Sequence, residues 1–327
     1  MTQTHHTTEG GAETIPASLS PGMTGILSDC VALLRPTQWV KNVVVFAGPA
    51  AAGELRSSGS LVRTLVAFGT FCLVASAGYA INDVLDRDAD ALHPLKRSRP
   101  VARGAIRPAT AYCLALLLAG TAISTAWWIL NPRFTGVLSL YFVMILAYSI
   151  TLKKRMILDV IVIAIGFVLR AWGGSLAVGV ETSEWLVACV FTLCLFMGFG
   201  KRRCELAMIP DVNEAGQHRR TLLRYTPDLL NHLITVSSGI AVITFLLYTL
   251  DSGVQPVPFP RHYLFYTLPL VVYGIFRFAM LTELGDFAGP TEIVLKDRAI
   301  LFTVLLWASA ALAIVYFAPT LESAVAG

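Results

Sequence analysis

Four side chains in one short stretch are the first candidates for chemistry. Asn82, Asp83, Asp86 and Asp90 fall within Tyr79–Arg107, which reads YAINDVLDRDADALHPLKRSRPVARGAIR. Their spacing puts all four on one face of a helix and turns Asp88 elsewhere. Carboxylates crowded on one face repel each other unless a cation sits among them. An oxygen-only set without His or Cys suits a hard cation, Mg²⁺ first, and Mg²⁺ takes water and a substrate phosphate as further ligands. The bases that follow, Lys96, Arg97, Arg99, Arg103 and Arg107, can hold the other phosphate oxygens. The stretch therefore reads as a Mg²⁺–diphosphate site. The other reading is a solvated loop whose acids and bases pair for solubility.

The flanks say where such a site would lie. Leu61–Ala80 precedes it and Ala109–Leu130 follows it, both apolar. Of the 327 residues 55% are hydrophobic and 14% charged, against about 25% charged in soluble chains. The class expected is an all-α polytopic membrane protein. A short interfacial helix is expected over 22–39, with Arg35 snorkelling and Trp39 at headgroup level. Nine spans are drawn at roughly 43–59, 61–82, 109–130, 134–152, 157–178, 185–200, 231–250, 262–281 and 299–318, each near the ~20 residues that cross ~30 Å of hydrocarbon. One membrane domain, 23–320, is expected between a polar tail, 1–22, and a short C-terminal tail, 321–327. The polar start has no Lys, Arg or apolar run and does not read as a signal peptide.

Basic residues orient the bundle. Of the 25 Lys and Arg, only Arg56, Arg63, Arg133 and Arg261 fall on the second side, with Arg170 and Arg277 inside spans. The positive-inside rule then places the Asp-rich face and the N-terminus in the cytoplasm, in a plasma membrane. The net charge of +4 is spread over short loops, and no nucleic-acid partner is expected. The six cysteines form no CxxC or Cys/His cluster and are expected as free thiols. Small residues on several spans permit a homo-oligomer.

A second polar layer lies further along. Tyr148, Lys153 and Lys154 close the fourth span, and Asp159 opens the fifth. Arg170 lies about three turns into that span, a costly position unless it faces protein or a wet cavity. Two readings stay open for it: a contact to an anion in a polar cavity, or a partner for Asp159. Gly200-Lys201-Arg202-Arg203 ends the sixth span, where bases serve either an anion or membrane anchoring. His218-Arg219-Arg220 and Arg224-Tyr225 suggest a short helix over the cavity mouth. Arg277 with Asp286, and Lys296-Asp297-Arg298 with Glu292, form a third cluster.

The pattern Asn82-Asp83-x-x-Asp86-x-x-x-Asp90 resembles the first Asp-rich motif of the UbiA-type intramembrane prenyltransferases. LRPTQWVKN (34–42), NDVLDRDADALHPLKRSRPVARGAI (82–106), YSITLKK (148–154), GKRRCEL (200–206) and TEIVLKDRAIL (291–301) make the chain similar to one branch, the decaprenyl-phosphate phosphoribosyltransferases. That resemblance implies a nine-helix UbiA-type bundle with a cytoplasmic-side active-site cavity. It implies transfer of the 5-phosphoribosyl group of phosphoribosyl diphosphate (PRPP) to decaprenyl or another polyprenyl phosphate, with release of diphosphate. The product would feed arabinan precursors of a cell wall. Asp83, Asp86, Asp90 and Asp159 would be catalytic, with Mg²⁺ on Asn82, Asp83, Asp86 and Asp90. Lys41, Asn42, Asn82, Lys96, Arg97, Arg103, Tyr148, Lys153, Arg170, Lys201 and Arg202 would bind substrate. One departure stands out: Asp159 is a single acid where many aromatic prenyltransferases carry a pair.

The alternative within the family moves a polyprenyl group from its diphosphate to an aromatic or other small acceptor. Such a reaction leaves the surplus of bases unexplained. A transporter would put charge and broken helices near the midplane, whereas here acids and bases gather at one face.

Overall fold

The computed structural model describes residues 23–93, 96–208, 224–251 and 261–325. The first tail, 1–22, and the His218–Arg220 helix lie outside the described residues.

Local sequence sets the helix ends. Ser57, Asn131 and Thr226 accept from Ser60, Phe134 and Leu229 N–H and so cap three helices, while Pro108, Pro132, Pro227 and Pro290 occupy first turns, where a missing N–H costs nothing. Gly179 (φ 79°) and Gly285 (φ 78°) end two others in the left-handed conformation. In order, the helices are α1 (Met23–Leu34), α2 (Ala47–Ala51), α3 (Ser58–Leu85), α4 (Arg87–Leu92), α5 (Pro108–Thr125) and α6 (Pro132–Ile150). Then follow α7 (Leu158–Val178), α8 (Glu184–Ala207), α9 (Pro227–Leu250), α10 (Leu268–Leu284), α11 (Pro290–Lys296) and α12 (Arg298–Val325). No strand occurs among the described residues. The last helix crosses the 320/321 boundary drawn from the sequence.

Among the described residues eight helices are long and apolar enough to cross a membrane: α3, α5 with its continuation to Leu130, α6, α7, α8, α9, α10 with the 3₁₀ turn before it, and α12. The segment drawn as a first span, 43–59, is not one of them. Pro36–Phe46 is an 11-residue 3₁₀ helix running into α2, so the interfacial helix drawn to residue 39 stops at Leu34. The 3₁₀ segment runs antiparallel to α3: Arg35 meets Asp83, Trp39 Nε1 donates to Ser76 Oγ (3.1 Å), Asn42 Nδ2 to Cys72 Sγ (3.2 Å), and Phe46 packs on Phe68. A 3₁₀ helix rises ~2.0 Å per residue, so fewer residues cover the distance. Its fit against α7 needs Gly174, where a Cβ would overlap the Val45 carbonyl.

α3 and α7 form the centre. Their apolar windows are 61% buried, against 17% for α12. Phe71, Phe134, Leu138, Tyr141 and Val45 fill the space between α3, α6, α7 and the 3₁₀ segment. Phe196, Phe199 and Phe278 join α8 to α10. Two rigid central helices thus carry Asn82–Asp86 at the end of one and Asp159–Arg170 at the start of the other.

Candidate active site

The Asp-rich stretch is a helix with one break. α3 ends at Leu85, Asp86 sits at the break (φ −96°, ψ 4°) and α4 resumes at Arg87. The helical register passes through: Asp86 N–H donates to the Asn82 carbonyl (2.9 Å) and Asp90 N–H to the Asp86 carbonyl (2.8 Å). The single face expected from the spacing resolves into two pairs. Asp83 and Asp90, both buried, share Arg99, which lies 3.2 Å from Asp83 Oδ1 and 2.5 Å from Asp90 Oδ2. Asn82 and Asp86 share Lys153, whose Nζ lies 3.1 Å from Asn82 Oδ1 and 2.6 Å from Asp86 Oδ1.

Arg35 also donates to Asp83 and stacks over Tyr79. Its φ of 52° is left-handed, which costs a non-glycine residue about 1 kcal/mol. That turn aims the side chain inward at the acids, where the sequence alone suggested snorkelling outward.

Arg170 lies deeper and is 6% exposed. Its Nε donates to Asn42 Oδ1 (2.7 Å), it also donates to the Tyr141 hydroxyl, and its guanidinium stacks on Tyr141 and Phe167. All these partners are neutral. Asp159 is not among them, so the charge forms no ion pair among the described residues. Lys41 stands close by, and the charged groups that act on it are Lys201, Arg170 and Arg35. A low-dielectric concentration of like charge of this kind favours an anion.

Asp159 instead takes Arg202 (2.9 Å) and the Tyr225 hydroxyl (3.1 Å). Arg202 also pairs with Glu205. The same Tyr225 oxygen accepts from Ile157 N–H (2.7 Å), which holds Ile157 at a positive φ of 66°. Burial pushes the Tyr225 phenol up to about 12, so it stays protonated and donates to Asp159. Asp159 is thereby a positioning group for Arg202, linking α7, α8 and the residue ahead of α9.

The remaining expected residues scatter. Arg103 pairs with Asp29 of α1 and ties the 96–107 loop to that helix. Lys96 and Arg97 are exposed on the same loop. Tyr148 is half-buried and acts on Arg202. Lys201 lies 3.6 Å from Glu205. Arg277 bonds Asp297 through two contacts of 2.8 Å, not Asp286, and Glu292 pairs with Lys296. Sequence reasoning misses Arg35, Tyr141 and Tyr225 as site residues and names Arg99 only as one of a basic run.

No three His, Cys, Asp or Glu side chains come together as a metal site among the described residues. The donor chemistry nevertheless fits a hard cation. Lys153 and Arg99 each sit as a positive group between two oxygen-bearing side chains, the place a divalent ion would take with phosphate oxygens completing its shell.

The chain belongs to the UbiA prenyltransferase family, whose pattern residues 43–290 match, and it is a multi-pass membrane protein. The decaprenyl-phosphate phosphoribosyltransferase of Corynebacterium glutamicum is 31% identical over 307 residues, 93% of this chain and 90% of that one. The protein of that name from Mycolicibacterium smegmatis is 33% identical over 302 residues, covering 89% and 94%. Among solved structures, a UbiA homolog from Archaeoglobus fulgidus bound to GPP and Mg²⁺ aligns with a TM-score of 0.66 at 18% identity, over 88% of this chain and 99% of that one. That last likeness establishes the fold.

Proposed function

We propose that the protein transfers the 5-phosphoribosyl group of PRPP to a polyprenyl phosphate, decaprenyl phosphate in the first instance, and releases diphosphate. The observation that carries this reading is the Lys41–Arg170 region: cations that pair with no acid among the described residues, beside a separate acid-lined layer at Asp83–Asp90. A prenyl diphosphate donor with an aromatic acceptor brings one phosphoryl cluster. PRPP with a lipid phosphate brings three, and two kinds of subsite suit that load. The names of the Corynebacterium and Mycolicibacterium relatives support the same reaction.

Asn82, Asp83, Asp86 and Asp90 would hold Mg²⁺. When bound, the ion supplies neutralisation of the leaving diphosphate. Lys153 and Arg99, now on the acids, are within reach of the same phosphate oxygens. In the reaction the C1–O bond to diphosphate breaks, and an acceptor phosphate oxygen bonds to C1. That oxygen is already anionic, so no general base is required, in keeping with a layer built from Asp, Lys and Arg. Lys41, Lys201 and Arg170 would bind phosphate, and Asn42 and Tyr141 fix the Arg170 guanidinium. Asp159 holds Arg202 at the rim.

The positive-inside count supports a cytoplasmic Asp-rich face, the side on which a soluble sugar diphosphate would be met. The test is turnover by purified protein with Mg²⁺, PRPP and decaprenyl phosphate. The reading requires phosphoribosyl lipid and diphosphate in equal amounts. It fails if neither forms while decaprenyl diphosphate and 4-hydroxybenzoate are converted.

A further inference from the structure

At the end of the bundle opposite Asp83–Asp90, a cleft of about 1090 Å³ opens between α6, α7 and α8. Its place follows from the chain. α6 finishes beside Lys153 and α7 begins at Asp159, so Asn131, Gly179 and Glu184 mark the far ends of α6, α7 and α8. The floor is apolar: Val168, Trp172 and Leu176 of α7, and Val187 of α8. Trp172 is 41% exposed, turned into the gap between α6 and α8.

The mouth has a different chemistry. Arg133 lies on the α6 side, and Glu181 and Glu184 on the α8 side. All three are exposed. Among the described residues none of them has an ion-pair or hydrogen-bond partner. Thr182 also lines the cleft, with its hydroxyl buried and without a hydrogen-bond partner, a costly state unless something else supplies one. The walls are preformed. Asn131 Nδ2 donates to the Leu176 carbonyl (2.8 Å) and its Oδ1 accepts from Phe134 N–H (2.8 Å), locking α6 to α7. Gly179 in the left-handed conformation ends α7, and Val180 N–H bonds back to the Ser175 carbonyl (3.1 Å), which lifts residues 180–182 over the opening.

We infer that this cleft is a binding site for a zwitterionic phospholipid of the leaflet opposite the Asp-rich face. The lipid phosphate would meet Arg133 and the ammonium Glu181 and Glu184, with an acyl chain along Trp172 and Val168. A cation and two acids that are separated and unpaired match a headgroup carrying both signs. An anionic headgroup would satisfy Arg133 and be repelled by the two glutamates. The apolar floor suits a chain and gives no reason for the charges. The site is independent of the transferase reading.

The test uses the full chain in phosphatidylglycerol nanodiscs. A small fraction of chain-brominated phosphatidylethanolamine is added, or the same fraction of chain-brominated phosphatidylglycerol. The Trp172 signal is the difference between the parent protein and Trp172→Phe. The ethanolamine lipid should quench that signal at about tenfold lower fraction than the glycerol lipid, the factor expected of one charge-assisted contact. The preference should vanish in Arg133→Gln and in Glu184→Gln, both conservative changes at exposed positions. Equal quenching by the two lipids in the parent protein would show that the cleft samples bulk lipid and overturns the inference. So would a preference for phosphatidylglycerol, or a preference that survives both substitutions.

Discussion

Lys153 Nζ lies 2.6 Å from Asp86 Oδ1, which joins the connection between α6 and α7 to the break between α3 and α4. One ammonium thus reads both halves of the site. Asp86→Ala removes an oxygen ligand at that junction and breaks the Lys153–Asp86 ion pair. Diphosphate release should fall by about 10²-fold or more, the size of effect seen when one group stabilising a developing charge is lost. A variant that keeps near-parental turnover would take the Asp-rich layer out of the chemistry.

Lys41 should act on binding. Lys41→Met keeps the length of the side chain and deletes the charge that faces Lys201, Arg170 and Arg35. An apparent KM raised about 10- to 100-fold for one of the two phosphorylated substrates, with Lys41→Arg close to parental, is the expected outcome in steady-state kinetics. A fall in kcat alone would move Lys41 to another role.

The buried Asp159–Arg202 pair carries a prediction about stability. Asp159→Ala leaves Arg202, 3% exposed at its side chain, with Glu205 alone. The cost should be about 3 kcal/mol, because a buried charge loses a partner. Tyr225→Phe removes only the hydroxyl shared by Ile157 and Asp159 and should cost about 1 kcal/mol. Thermal unfolding in detergent would rank the two, and a larger loss for Tyr225→Phe would contradict the assignment.

Gly174 tests the close contact between α7 and the 3₁₀ segment. Its missing Cβ makes room for the Val45 carbonyl, a backbone atom with little freedom to shift. Gly174→Val should lower the yield of monodisperse protein and its unfolding temperature, whereas the same change at Gly136, with open space around it, should not.

The legible parts of this chain are those with a period or a count. Long apolar runs gave the helices, and the three-, four- and seven-residue spacings gave Asn82, Asp83, Asp86 and Asp90 before any geometry. The segment drawn as a first span opens within a 3₁₀ helix that starts at Pro36, for whose rise hydropathy carries no signal. Arg170 and Asp159 share one helix but stand about 16 Å apart along its axis, too far for an ion pair, which leaves the other of the two readings, a contact to an anion. Tertiary packing gave each a different partner, Asn42 with Tyr141 and Arg202 with Tyr225. Arg99 was hidden among similar bases, since which member of a basic run turns inward depends on loop geometry, while Arg35 stands alone before Pro36 and is turned inward by a left-handed backbone. The cleft at Trp172 had no signature at all, because its charges come from two connections far apart in the chain, Arg133 at the start of α6 and Glu181 and Glu184 where α7 passes to α8.

The most direct test of the central claim is the mass of the lipid product. Purified protein with Mg²⁺, decaprenyl phosphate and PRPP should yield a lipid that retains the sugar 5-phosphate and is linked to C1 through the lipid phosphate, with one diphosphate released per product and about 10²-fold less of both from Asp86→Ala. A prenylated aromatic product from decaprenyl diphosphate and 4-hydroxybenzoate, with no ribosylated lipid from PRPP, would contradict it.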